Sequence, residues 1–103
     1  MLKEVNSAEF KELAGKGLVL ADFFSTTCGP RKMLSFVVKD VEKEFGDDLS
    51  ILKVDFDQNK ELTAEYGVTG YPTLVLLKDG QEVGRLQGLQ QKPVIVKLVQ
   101  EHK

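Results

Sequence analysis

The run from Leu18 to Phe24 is the feature that most constrains the fold, because every residue in it except Asp22 is apolar. Such a run is typical of a strand that is buried on both faces. A strand of this kind needs a layer of other elements on each side. With 103 residues, the chain is long enough for one hydrophobic core and too short for two. The sequence therefore predicts a single α/β domain over residues 1–103.

The remaining patterns predict the order β-α-β-α-β-α-β-β-α, which implies a mixed central sheet with helices on both faces. The predicted strands are 2–5, 18–24, 51–56, 73–77 and 82–86, and the predicted helices start near Asn6, Pro30, Asn59 and Pro93. Asn6 and Glu9 form a capping-box pattern, and Asn59 is predicted to cap the third helix. At helical spacing, the second helix carries Met33, Phe36, Val37, Val41 and Phe45, and the last carries Val94, Val96, Leu98 and Val99.

The charge pattern argues against nucleic-acid and membrane partners. The chain has 14 basic and 16 acidic residues, a formal net charge of −2, and both signs are interspersed along it. No apolar stretch approaches the length of a membrane span, and no signal-peptide pattern opens the sequence. We therefore expect a cytoplasmic protein. His102 stands alone near the end of the chain and no phosphate-binding loop is visible, so we expect neither a metal nor a cofactor.

The only cysteine, Cys28, lies between the buried strand and the second helix. Pro30 suits the first position of a helix, which places Cys28 at or just before a helix N-terminus. Free backbone N–H groups and the helix dipole, together with Arg31 and Lys32, favour the charged form of its sulfur. The pattern predicts a nucleophilic thiolate with a depressed pKa rather than an inert buried thiol. A single cysteine also excludes an intramolecular disulfide.

Several short motifs, taken in order, resemble those of the thioredoxin family along essentially the whole chain. They are Ala21-Asp22-Phe23, Cys28-Gly29-Pro30, Lys32-Met33, Gly70-Tyr71-Pro72-Thr73, Asp79-Gly80 and Gly88. The resemblance implies a thioredoxin fold. The sequence departs from the family pattern at three places. Arg31 stands where the second active-site cysteine is expected, Thr27 replaces an aromatic residue, and Phe36 replaces a proline that kinks the helix.

The resemblance also implies roles for residues around the thiol. Asp22 would be a buried aspartate beneath the active-site helix, with Lys53 of the adjoining strand as its neighbour. It is either a structural ion pair or relic, or a group that handles protons or contacts Arg31. Arg31 is either a solvated helix residue or a partner for the sulfur or for a carboxylate of an incoming thiol such as glutathione.

A groove around the sulfur is the remaining implication of the resemblance. The Tyr71–Pro72 bond would be cis beside the cysteine, which would leave the backbone of Tyr71 free to pair with an extended peptide. The expected groove residues are Thr27, Gly29, Pro30, Gly70, Tyr71, Pro72 and Gly88.

Two main classes of function follow. The first is a thioredoxin-like thiol–disulfide oxidoreductase that works with Cys28 alone. It would form mixed disulfides with protein disulfides or glutathionylated proteins, and it would need glutathione or another external thiol for release. The second is a non-catalytic binding or redox-sensing module of the same fold. A third reading is that Arg31 was engineered to trap mixed disulfides. We expect a monomer that could form a Cys28-linked dimer on oxidation.

Overall fold

The computed structural model describes residues 1–25 and 31–103, with the backbone alone for residues 31–33. The strands are β1 (Leu2–Val5), β2 (Leu18–Phe24), β3 (Ser50–Asp55), β4 (Thr73–Lys78) and β5 (Gln81–Gln87). The helices are α1 (Ser7–Leu13), α2 (Arg31–Phe45), α3 (Lys60–Glu65) and α4 (Lys92–His102), with a short 3₁₀ turn over Gly46–Asp48. The predicted order of strands and helices is confirmed.

The described strands form one mixed sheet in the order β1-β3-β2-β4-β5. β1, β3 and β2 run parallel to one another, whereas β4 is antiparallel to β2 and to β5. The central position of β2 explains why its sequence is so apolar, since both of its faces are covered. In this register Asp22 lies between Lys53 of β3 and Leu74 of β4.

Two apolar clusters cover the two faces of the sheet. On one face, Phe10 of α1 and Leu62 of α3 pack against alternate residues of the strands, including Phe23. On the other face, Leu34 and Val38 of α2 join a cluster that also contains Ile95 of α4 and Leu20 of β2. The predicted helices on both faces are therefore confirmed.

The predicted buried face of α2 is wrong at Phe36, whose side chain is 61% exposed. The residues that α2 buries are Leu34, Val38, Val41 and Phe45. Their spacing of four, three and four residues puts them on one stripe, and position 36 lies almost opposite that stripe. In α4, the sequence reading omitted Ile95, which is fully buried together with Val99, whereas Val94 is 44% exposed.

The predicted capping box of α1 is present, because the Asn6 side chain accepts from the Glu9 N–H while Glu9 accepts from the Asn6 N–H. Asn59 is the N-cap residue of α3, as predicted, but its side chain makes no capping hydrogen bond. Its Oδ1 accepts hydrogen bonds from the N–H and the hydroxyl of Ser7, at 3.0 and 3.1 Å, and its Nδ2 donates to the carbonyl of Asp55. The side-chain amide of Asn59 thus joins the start of α1 to the end of β3. It makes no hydrogen bond to the N–H groups of its own helix.

Candidate functional site

The segment between β2 and α2 contains the predicted nucleophile. β2 ends at Phe24 and α2 begins at Arg31, so the predicted placement of this segment between a strand and a helix agrees with the flanking elements. Four predicted site residues, Thr27, Cys28, Gly29 and Pro30, lie outside the described residues, and so does the side chain of Arg31. The expectations about them remain predictions.

Asp22 is buried, as predicted, with a relative exposure of 2%. Because even-numbered residues of β2 face α2, its side chain lies on the face of the sheet that this helix covers. It lines a small cavity of about 10 Å³, which is room for one water molecule. The other residues that line this cavity are Phe24, Ser25, Leu34, Ser35, Lys53 and Pro72.

Lys53 meets Asp22 at this cavity, as predicted. The two residues are direct partners in the pairing of β2 with β3. The ammonium of Lys53 lies 5.2 Å from the centre of the Phe24 ring, within the range of a cation–π contact. Lys53 as a whole residue is only partly buried.

A second cavity is an open groove of about 170 Å³ that follows the N-terminal end of β4. It is lined by Thr69, Gly70, Tyr71, Pro72, Thr73, Gln87 and Gly88. The Tyr71–Pro72 bond is cis, as predicted. The structure therefore brings together the predicted groove residues Gly70, Tyr71, Pro72 and Gly88.

Two hydrogen bonds hold the groove in shape. The N–H of Gly88 donates to the carbonyl of Pro72 at 2.8 Å, which ties the end of β5 to the cis bond. The hydroxyl of Thr73 donates to the carbonyl of Gly70 at 2.7 Å. Pro72 also lines the cavity beside Asp22, so it belongs to both the groove and that cavity.

The sequence reading missed three residues at this end of the sheet. Gln87 lines the groove because it pairs with Thr73, a neighbour that follows only from the register of the β4–β5 hairpin. Phe56 makes an edge-to-face contact with Tyr71, with the ring centres 5.0 Å apart. This contact gives the half-exposed Tyr71 an aromatic neighbour beside the groove.

Ser25 is the third residue that the sequence reading missed. It is fully buried, and its hydroxyl donates to the Asp57 carboxylate at 3.0 Å. Asp57 follows β3, and its own N–H donates to the Asp55 carboxylate at 2.9 Å. These contacts anchor the last described residue before the nucleophile segment to the loop after β3. A buried serine beside a run of polar residues gives no sequence signal that would have identified its partner.

Other kinds of site find little support in the described part of the chain. In residues 1–25 and 31–103, no group of three or more histidine, cysteine, aspartate or glutamate side chains is arranged to hold a metal ion. Among the same residues, no helix combines the length and the apolar character needed to cross a bilayer.

The fold and the groove define a thioredoxin-fold protein, and comparisons with known proteins agree. The thioredoxin family profile matches residues 1–101. Thioredoxin from Bacillus subtilis is 42% identical over 93 residues, which are 90% of this chain and 89% of that protein. Thioredoxin from Chlamydia caviae is 42% identical over 102 residues, 99% of both chains.

Solved structures extend the likeness to three dimensions. A mutant thioredoxin from Halobacterium salinarum superposes with a TM-score of 0.89 at 35% identity, covering 97% of this chain and 88% of that one. Thioredoxin from Fasciola hepatica gives a TM-score of 0.86 at 37% identity, covering 95% of each chain. The predicted thioredoxin fold is confirmed. The chain belongs to the thioredoxin family, a family of thiol–disulfide oxidoreductases.

Proposed function

We propose that this chain is a monothiol protein-disulfide oxidoreductase in which Cys28 is the only reacting cysteine. The observation that carries the proposal is the cysteine count. The sequence contains one cysteine, and arginine occupies position 31, the first residue of α2, where the family resemblance leads us to expect the second. A disulfide within the chain is therefore impossible, and the family reaction can proceed only through an intermolecular intermediate.

The first step forms a mixed disulfide. The Cys28 thiolate attacks one sulfur of a protein disulfide, the bond between the two substrate sulfurs breaks, and the second substrate sulfur leaves as a thiolate that takes a proton from solvent. With a glutathionylated protein, the leaving group is either glutathione or the protein thiolate, depending on which sulfur is attacked.

The second step needs an external thiol. A glutathione thiolate attacks the Cys28 sulfur of the mixed disulfide and releases the substrate as a dithiol. A second glutathione then restores the Cys28 thiolate and leaves as oxidised glutathione. The two electrons that reduce the substrate thus come from two glutathione molecules. Arg31 contributes no nucleophile, and its guanidinium suits a carboxylate of the incoming glutathione.

The groove is the proposed binding site for the substrate chain. Thr27, Gly29 and Pro30 would complete it beside Gly70, Tyr71, Pro72 and Gly88. Extended backbone binds such a site mainly by main-chain hydrogen bonds, which suit substrates of varied sequence. The groove is open, and five of its seven lining residues are glycine, threonine or proline, so an extended segment of a protein has room to lie in it.

Asp22 and Lys53 line a cavity together with Ser25, the last described residue before the segment that contains Cys28. Their shared cavity has room for one water molecule. We propose that such a water passes a proton between the Asp22 carboxyl and the Cys28 sulfur. We propose that the proton passes to the Cys28 sulfur when that sulfur leaves the mixed disulfide as a thiolate, because the chain has no second cysteine for Asp22 to serve. We further propose a cytoplasmic monomer, which suits a glutathione-dependent reaction.

The test is to follow the mixed disulfide by mass spectrometry. Wild-type protein and an oxidised protein substrate should give an adduct that persists without added thiol and disappears with millimolar glutathione. Arg31→Cys should show little adduct and should gain turnover with a thioredoxin reductase, because a tethered thiol acts at an effective concentration of about 10⁵ M or more. Arg31→Ser is the matched control, since it removes the guanidinium without supplying a thiol. It should keep the adduct.

Two results would contradict the proposal. Turnover of wild-type protein without an external thiol would show that another route releases the substrate. Absence of any adduct, with Cys28→Ser as the background, would favour the non-catalytic binding module, in which the groove recognises a partner without covalent chemistry.

A further inference from the structure

The guanidinium of Arg85 in β5 makes several hydrogen bonds near the groove. Its Nε and Nη2 donate to the two carboxylate oxygens of Glu82, at 3.0 and 2.8 Å. Its Nη1 donates to the carbonyl of Gly67 at 3.3 Å, and Nη2 also donates to the carbonyl of Tyr66. The carboxylate of Glu82 holds the guanidinium in one plane while the other edge reaches the two carbonyls.

The two carbonyls lie where the chain leaves α3. That helix ends at Glu65, and the last carbonyls of a helix have no partner within it. Gly67 has φ of +63°, a left-handed conformation that turns the chain out of the helix. The N–H of Val68 returns to the carbonyl of Thr63 at 3.0 Å. Arg85 therefore binds the short turn from which the segment 69–72 departs.

That segment forms one wall of the groove, and the end of β5 forms the other. Thr69 follows the turn by two residues, and Gln87 follows Arg85 by two residues on the same strand. The guanidinium thus joins the turn before segment 69–72, the first wall, to β5, whose end forms the second wall. We propose that Arg85 is a positioning residue that sets the separation of these walls for protein substrates, an inference that rests on the proposed function.

The chemistry of this contact requires arginine. A planar guanidinium with five N–H groups can serve a carboxylate on one edge and carbonyls on another at the same time. A lysine would keep the positive charge near Glu82 but would lose the fork that reaches Tyr66 and Gly67. Arg85→Lys therefore removes the positioning contacts with a small change in charge or volume.

The matched control is Lys11→Met. Lys11 of α1 also reaches α3, through an exposed ion pair with Glu65 at 3.9 Å, but it contacts neither carbonyl. Both variants remove one contact to the end of α3, so a general loosening of that helix would appear in both. An effect of the groove contact would appear only in Arg85→Lys.

The kinetic test compares two disulfides. The first is a peptide of about ten residues with a single cysteine joined to thionitrobenzoate, and the second is dithiodipyridine, which is too small to span the groove. Arg85→Lys should raise the peptide concentration at half-maximal rate by about threefold or more, because an imprecisely held wall loses part of its hydrogen bonding to the peptide. The limiting rate and the rate with dithiodipyridine should match those of the wild type and of Lys11→Met.

Amide hydrogen exchange gives a second readout that does not depend on Cys28. The amides of Gly67 and Val68 should exchange about threefold faster or more in Arg85→Lys than in the wild type or in Lys11→Met. Unchanged exchange rates of the Gly67 and Val68 amides in Arg85→Lys would contradict the role of Arg85. An equal slowing of the reactions with both disulfides would also contradict it. A wild type that reacts with neither disulfide would contradict the proposed function, and exchange would still decide whether Arg85 fixes the wall.

Discussion

Asp22 and Asp55 provide a sharp test of how buried carboxylates act in this fold. Both lie near the ends of adjacent strands, and both are buried, with relative exposures of 2% and 8%. We predict that removing their charges changes stability in opposite directions. We expect the cost of burying the charge to dominate at Asp22, and the hydrogen bonds from backbone N–H groups to dominate at Asp55.

Asp22→Asn should raise the free energy of unfolding. Burying an ionised carboxylate costs several kcal/mol, and asparagine has nearly the same volume as aspartate but carries no charge to bury. Its neighbour Lys53 is partly exposed and stacks on Phe24, so its ammonium keeps favourable surroundings after the substitution. We expect a gain of about 1–2 kcal/mol, which in a domain of 103 residues raises Tm by about 5–10 °C.

Asp55→Ala should lower the free energy of unfolding. The Oδ1 atom of Asp55 accepts from the N–H groups of Asp57 and Gln58, at 2.9 and 3.2 Å. Alanine would leave both donors without this acceptor, and hydrogen bonds to a charged group contribute about 1.5–3 kcal/mol each when they are well buried. Because the loop is near the surface, water can replace part of the loss. We expect a loss of about 1–2 kcal/mol.

The assay is urea unfolding at neutral pH, followed by circular dichroism, with the slope m required to stay constant among variants. Asp47→Asn is the charge control, since Asp47 is exposed in the 3₁₀ turn, and it should stay within about 0.5 kcal/mol of the wild type. A loss above about 1 kcal/mol for Asp22→Asn would refute the reasoning. It would mean that the contacts of the Asp22 carboxylate contribute more to stability than its burial costs.

Three further predictions concern parts of the chain away from the site. Burial raises the pKa of Tyr66 above its ordinary value of 10.0, so ultraviolet titration of Tyr71→Phe, which leaves one tyrosine, should show phenolate forming above about pH 10. The contribution of Tyr66 to the free energy of unfolding is present below pH 10 and disappears as the pH rises through the folded pKa. A titration midpoint below pH 10 would contradict this prediction. Ile95→Ala should lower the free energy of unfolding by about 2–5 kcal/mol and Val94→Ala by less than about 0.5 kcal/mol, since only Ile95 is buried. Equal losses for the two variants in denaturant unfolding would contradict this orientation of α4. Asn6→Ala should cost about 0.5–2 kcal/mol in the same assay because it removes the cap of α1, and no loss would rule out that contribution.

The fold could be predicted because its signals are local and mutually consistent. The apolar run of β2, the glycines that end helices and the Asp79-Gly80 turn each fix a boundary without knowledge of the rest. The buried face of α2 was harder to predict. Phe36 is a large apolar residue at plausible spacing, but Leu34 and Val38 make the buried stripe, and only the packing of α2 on the sheet distinguishes the two choices.

The groove could be predicted only through the family resemblance. Gly70, Tyr71, Pro72 and Gly88 are distant in sequence, and no periodicity links them. Gln87 was missed for a related reason, since its place beside Thr73 depends on the β4–β5 register, which shifts by one residue between Leu76 and Leu77. Hydrogen bonds between loops, such as that from Ser25 to Asp57, leave no pattern in the sequence at all.

The two halves of the proposed reaction depend on different kinds of residue. In the proposed reaction, capture of a substrate would rely on backbone groups in the groove, whose described walls are held by the Gly88 to Pro72 and Thr73 to Gly70 hydrogen bonds. Release would require a nucleophile close to Cys28, and the arginine at position 31 supplies none. A chain that keeps the groove and lacks the second thiol should therefore retain substrate recognition while its turnover becomes limited by the supply of external thiol.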